Sequence, residues 1–263
     1  MFIYAKRVRV LNLQQGPNKS SSTPSVSPQT YIFIATELEG RPLFPALQKI
    51  IMQTAPDLTD EFAPIPLIFT SSVQDVTFQG QDLSNGLSVH YCLPLVGERL
   101  ASLRRLALSS NEEDIEASTF DAILQLTNLE SLDIQLPQAK DPIPEFLAKA
   151  GRALKKLSSL TIDLHFSSHE VPTVDVLLAK WKTCPPSQST LRILAIRDHR
   201  NPLSFTNREY NDIAQLLDLM FPSLVSIKPY CEADEDKPYW KDHWWFIEHL
   251  RLSTVHVLPL AFF

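Results

Sequence analysis

One spacing recurs along this chain: an apolar residue, two variable positions, an apolar residue, one variable position, and a third apolar residue. It is clearest at Leu103, Leu106, Leu108 and returns at Leu129, Leu132, Ile134, at Leu157, Leu160, Ile162 and at Leu191, Leu194, Ile196. Looser copies stand at Val8, Leu11, Leu13, at Leu47, Ile50, Met52, at Val73, Val76, Phe78, and at Leu224 and Ile227 with Pro229 in third place; a further copy is read at Leu252, Val255, Val257. With the middle residue as anchor, the steps from Leu106 to Leu132, Leu160, Leu194 and Ile227 are 26, 28, 34 and 33 residues. In an extended segment alternate side chains point to opposite faces, so Leu132 and Ile134 share one face while Ser131, Asp133 and Gln135 share the other. A strand this short cannot bury its own leucines, but a stack of such strands can.

Steps of this length lie in or just above the range of leucine-rich repeats, and the spacing is theirs. The expected fold is therefore α/β: an irregular leucine-rich-repeat solenoid or horseshoe, with a parallel sheet of seven to nine strands on its concave face and helices on its convex face. The intervening segments support the helices. Thr206–Met220 opens with Thr206 and has Glu209 three residues on, a capping-box arrangement, and Ile213, Leu216, Leu217 and Met220 then form one apolar stripe. Ser118–Leu126, Pro142–Leu154 and Val174–Trp181 read as shorter helices.

Residues 1–263 read as a single array with one insertion at residues 14–29 (QQGPNKSSSTPSVSPQ), whose Ser- and Pro-rich composition predicts disorder. The acidic run CEADEDK at 231–237 reads as a solvated loop. The net charge of −6 opposes a dedicated nucleic-acid binder, which needs a basic stripe. Small basic groups at Lys6, Arg7 and Arg9 and at Arg104 and Arg105 read as ordinary exposed faces. The three cysteines, Cys92, Cys184 and Cys231, lie far apart, so idle thiols in a reducing cytoplasm or nucleus are expected. No signal-peptide core or membrane-spanning run is visible; the apolar stretch LSTVHVLPLAFF at the C-terminus is too short and too broken.

Catalytic and cofactor motifs are not found. The six glycines are spaced for neither a dinucleotide nor a phosphate loop, and there is no G-x-S-x-G elbow. His165 with His169, and His243 with His249, have no further ligands to make a metal site, so surface or capping histidines are expected. The expectation is a binding protein, not an enzyme, with no cofactor and no metal.

The segments LASLRRLALSSN, LTNLESLDIQLP, LKKLSSLTIDL and FPSLVSIKPY, followed by YWKDHWWFIEHLR, resemble the C-terminal repeat region of F-box proteins of mushroom-forming fungi. The resemblance covers about Phe44 to Arg251. It implies the substrate-recognition repeats of an intracellular ubiquitin-ligase receptor. No F-box is visible in the chain, so engagement of a ligase adaptor is expected only if one lies upstream. The Asn that commonly follows each repeat strand in such arrays occurs once, at Asn111; Pro137, His165 and His199 hold the matching places. The alternative is a stand-alone repeat scaffold or inhibitor unrelated to ubiquitin.

The outward strand positions are the candidate protein-binding strip: Lys49, Asp75, Thr77, Gln79, Arg105, Ser131, Asp133, Gln135, Thr161, Asp163, Arg197 and Lys228. Their mixture of small, polar and oppositely charged groups fits a protein partner of a monomer, and fits neither lipid nor a polyanion. Trp244 and Trp245 are the alternative site, because tryptophan is enriched in binding hot spots. Against that, Trp244, Ile247 and Leu250 or Arg251 have the spacing of a helix's inner stripe, with large aromatics serving burial first.

Overall fold

A computed structural model describes residues 2–13, 33–34, 36–39, 41–54, 68–80, 100–110, 117–135, 143–164, 174–184, 187–198, 206–229 and 238–255. The proposed insertion at 14–29 and the acidic run at 231–237 lie outside these residues, as do Asn111, Pro137, His165, His169, His199, Cys92 and Cys231. The chain groups into two compact units, Met1–Leu129 and Glu130–Phe263.

The first unit begins with a short helix, α1 (Phe2–Ala5). Four strands follow: β1 (Val10–Leu13), β2 (Lys49–Thr54), β3 (Asp75–Gly80) and β4 (Arg105–Ser110), and then helix α2 (Ala117–Leu124). The strands pair in parallel and in chain order. The anchors align in one lateral row, Leu11, Ile50, Val76 and Leu106, and the third apolar positions align in the next, Leu13, Met52, Phe78 and Leu108. Ile50, Val76, Phe78, Leu106 and Leu108 are sealed from solvent, with Phe120 and Ile123 of α2 also buried.

The second unit repeats this plan with β5 (Ser131–Gln135), β6 (Ser159–Leu164), β7 (Ile193–Asp198) and β8 (Ser226–Pro229), again parallel and in chain order. Its rows are Leu132, Leu160, Leu194, Ile227 and Ile134, Ile162, Ile196, Pro229. Four helices alternate with these strands: α3 (Ile143–Ala153), α4 (Val174–Lys182), α5 (Asn207–Met220) and α6 (Pro238–Val255). Helix α5 packs against α3, α4 and α6. Gly151 of α3 permits a close approach: a methyl group there would meet the Met220 carbonyl oxygen at 3.0 Å and the Phe221 ring at 3.3 Å. Arg152, next to it, lies over the Trp181 ring of α4 at 4.6 Å.

Two devices recur and hold each strand in register. The first apolar residue of a repeat donates its N–H three residues back, closing a turn before the strand; this is seen at Leu47, Val73, Leu103, Leu129, Leu157 and Leu224. The carbonyl just ahead of a strand then accepts two N–H groups from the next repeat. Arg9 accepts from Gln48 and Lys49, Gln48 from Gln74 and Asp75, and Gln74 from Arg104 and Arg105; Glu130, Ser158 and Arg192 do the same in the second unit. These bonds satisfy backbone groups that the short strands leave over.

Thr206 caps α5 as its spacing predicts: its hydroxyl accepts from the Glu209 N–H, and the Glu209 carboxylate accepts from the Thr206 N–H at 2.7 Å. One expectation is overturned. Leu252 and Val255 do not form a last repeat strand; they lie in α6, and Leu252 is exposed. Trp244, Ile247 and Arg251 recur at helical spacing and all bury, so a 3.6-residue period, not the repeat spacing, governs this segment.

Candidate interaction surfaces

The opposite side of each strand presents the candidate residues in lateral rows. In the first unit the first row is Val10, Lys49, Asp75 and Arg105, and the second is Asn12, Ile51, Thr77 and Ala107. Gln53, Gln79 and Ser109 form a third. In the second unit Ser131, Ser159, Ile193 and Ser226 align, as do Asp133, Thr161, Ala195 and Lys228. Asp163 and Arg197 are register partners.

Parallel register brings Lys49, Asp75 and Arg105 together. Asp75 Oδ2 lies 3.4 Å from Lys49 Nζ and 3.1 Å from Arg105 Nε. The Asp75 carboxylate is thereby covered, its side chain 12% exposed, while those of Lys49 and Arg105 are 39% and 65% exposed. Asp75 thus serves to hold two cations; the cations, not the carboxylate, face solvent. Thr77 is half-buried and Gln79 exposed.

In the second unit Ser131, Asp133, Gln135 and Thr161 are half-buried and Lys228 is exposed. Gln135 Nε2 lies 3.3 Å from both carboxylate oxygens of Asp133 and donates to them. The rows also hold apolar members that were not among the candidates: Val10, Ile51, Ala107, Ile193 and Ala195. Their signal was in the sequence, since each stands immediately beside an anchor. Both faces are therefore less polar than the charged candidates alone imply.

The two tryptophans separate. Trp244 is 2% exposed and belongs to the core, which removes it as a surface residue, whereas Trp245 is 63% exposed. Helical geometry decides this, because adjacent residues are about 100° apart around the axis. Trp245 stacks on His249 with ring centroids 5.5 Å apart. Phe246 meets the Tyr210 ring edge to face, and the Tyr210 hydroxyl and His243 Nδ1 share a hydrogen bond. Among the described residues no group of three or more His, Cys, Asp or Glu is placed to hold a metal ion, and no helix is long and apolar enough to cross a membrane.

The chain matches no protein-family model and has no significant match among curated proteins.

Proposed function

We propose that this chain binds another protein through the outward strand faces of its repeats, as the repeat region of an F-box-type ubiquitin-ligase receptor does in recognising a substrate. The carrying observation is the lateral register. In each unit one side of the strands carries apolar rows, buried at β2, β3 and β4 and at β5, β6 and β7, while the other side holds unlike side chains in ordered rows with partial exposure. Short parallel pairing keeps the residues on that side at a fixed lateral spacing. Rigid spacing lowers the ordering cost of association. Binding without chemistry, a monomeric state and a cytoplasmic or nuclear site of action belong to the same proposal.

The test uses the full chain carrying a photo-crosslinking residue at Thr77, at Thr161 or at Gln215, an exposed position on α5. The expected result is a protein crosslinked from Thr77 or Thr161 and not from Gln215. Equal labelling from all three positions rejects the strand faces as the site. Recovery of a ubiquitin-ligase adaptor with the partner favours the receptor role, and its consistent absence favours a stand-alone scaffold or inhibitor. The exposed Trp245, with Leu252 two turns further along α6, favours a second reading in which the terminal helix is the contact surface. A crosslinker at Leu252 reports on that reading separately.

A further inference from the structure

We propose that the strand face of the first unit recognises an extended acidic segment of a protein partner, with Lys49 and Arg105 as the two receiving cations; this rests on the strand-face reading above. A carboxylate on an open sheet face normally stays in water. Asp75 is instead 8% exposed, held between cations from the strands on either side. Losing water is costly for a carboxylate unless it is paired and hydrogen-bonded, and here both cations meet it.

The consequence lies with the cations. Arg105 uses only Nε on Asp75, and Lys49 gives Asp75 one contact through Nζ. Among the described residues neither has another side-chain partner, and both side chains reach solvent, Arg105 more than Lys49. A guanidinium edge suits a carboxylate. Asp75 anchors both side chains, which reduces the rotamer freedom that a long cation otherwise loses on binding.

Geometry narrows the ligand. Lys49 and Arg105 stand two strands apart, but both reach the same Asp75 oxygen, at 3.4 and 3.1 Å, so their contacting nitrogens lie within about 7 Å of each other. Two carboxylates two residues apart in an extended chain share one face and are separated by about 7 Å, the same distance. The next row, about 7 Å along the strands, is Ile51, Thr77 and Ala107, all half-buried and uncharged. A segment with two spaced Asp or Glu residues and an apolar neighbour matches both rows. The central Asp75 carboxylate disfavours a dense polyanion, because a phosphate chain laid across the row would run directly over it.

The probe is a phage-displayed library of random twelve-residue peptides selected on the immobilised full chain. The expected peptides carry two acidic residues and an apolar one, bind more weakly as salt rises, and lose at least tenfold in affinity for K49E/R105E. The milder K49Q/R105Q should lose at least threefold while its circular dichroism matches the parent. On unaltered protein, the bound peptide should protect Lys49 from acetylation and leave Lys228 reactive, which decides the matter if the variants do not fold. Enrichment of non-acidic peptides, no enrichment, or undiminished binding to a folded K49E/R105E overturns the proposal. Peptides whose binding is abolished by K228E and not by K49E/R105E overturn it too, while leaving the broader strand-face reading intact.

Discussion

Arg251 of α6 reaches Asp218 of α5, with Nε 2.7 Å from Oδ1, and its Nη2 donates to the Leu224 carbonyl at 3.0 Å just ahead of β8. The guanidinium is almost fully buried, so one side chain ties the terminal helix to both a helix and a strand lead-in. Removing one partner of a buried pair leaves a charge without compensation, which costs about 3–5 kcal/mol. Because Asp218 retains some exposure, Arg251→Ala should fall at the lower end, about 3 kcal/mol in urea denaturation. The double variant D218L/R251M should recover much of that loss. A double-mutant cycle with no coupling would show that the pair contributes only packing.

Leu132 and Leu160 are register partners on β5 and β6, and both are buried. Leu132→Ala should destabilise the chain by about 2–5 kcal/mol through the cavity it leaves. Asp133→Ala, on the other face of the same strand, should cost about 0.5 kcal/mol or less. Chemical denaturation of the two variants checks the ranking, and the reverse order would mean that the faces are exchanged.

Trp244 and Trp245 differ in surroundings and so should differ in cost. Trp244→Ala should lose about 3–5 kcal/mol. Trp244→Phe should lose much less, since the buried Nε1 of Trp244 has no hydrogen-bond partner among the described residues. Trp245→Ala should alter stability by about 0.5 kcal/mol. Thermal unfolding of the three variants separates these outcomes.

The Thr206 cap is local and should respond locally. Thr206→Ala removes the acceptor for the Glu209 N–H and should cost about 1 kcal/mol. Thr206→Ser keeps the oxygen and should restore most of the loss. Equal losses for Ala and Ser would place the effect in the methyl group instead of the hydrogen bond.

Much of this molecule was legible in its sequence, for a physical reason. The position of each strand, the hidden side at Leu132, Leu160 and Leu194, and the cap at Thr206 depend on residues close in sequence, and each leaves a period or a spacing behind. The inner stripe of α6 was legible for the same reason through Trp244 and Ile247, while its third position, open between Leu250 and Arg251, falls to the buried Arg251. Leu252 and Val255 were not legible in this way, because two positions of a repeat spacing also satisfy a helix; only the packing of the whole helix distinguishes them.

What the sequence alone determined about this protein is its alternation: which side of each strand must be hidden and where the main helices begin. Tertiary structure decided everything that joins one repeat to another. Ser72 and Thr190 donate to the carbonyls of Leu47 and Leu157, 25 and 33 residues earlier, and no local pattern announces those bonds. Asp75 is covered because Lys49 and Arg105 arrive beside it from other strands, and Arg251 is paired because α6 returns to α5. Local periodicity fixes the direction of a side chain, whereas its neighbours are set by register between segments far apart in the chain, and charge pairing follows the neighbours.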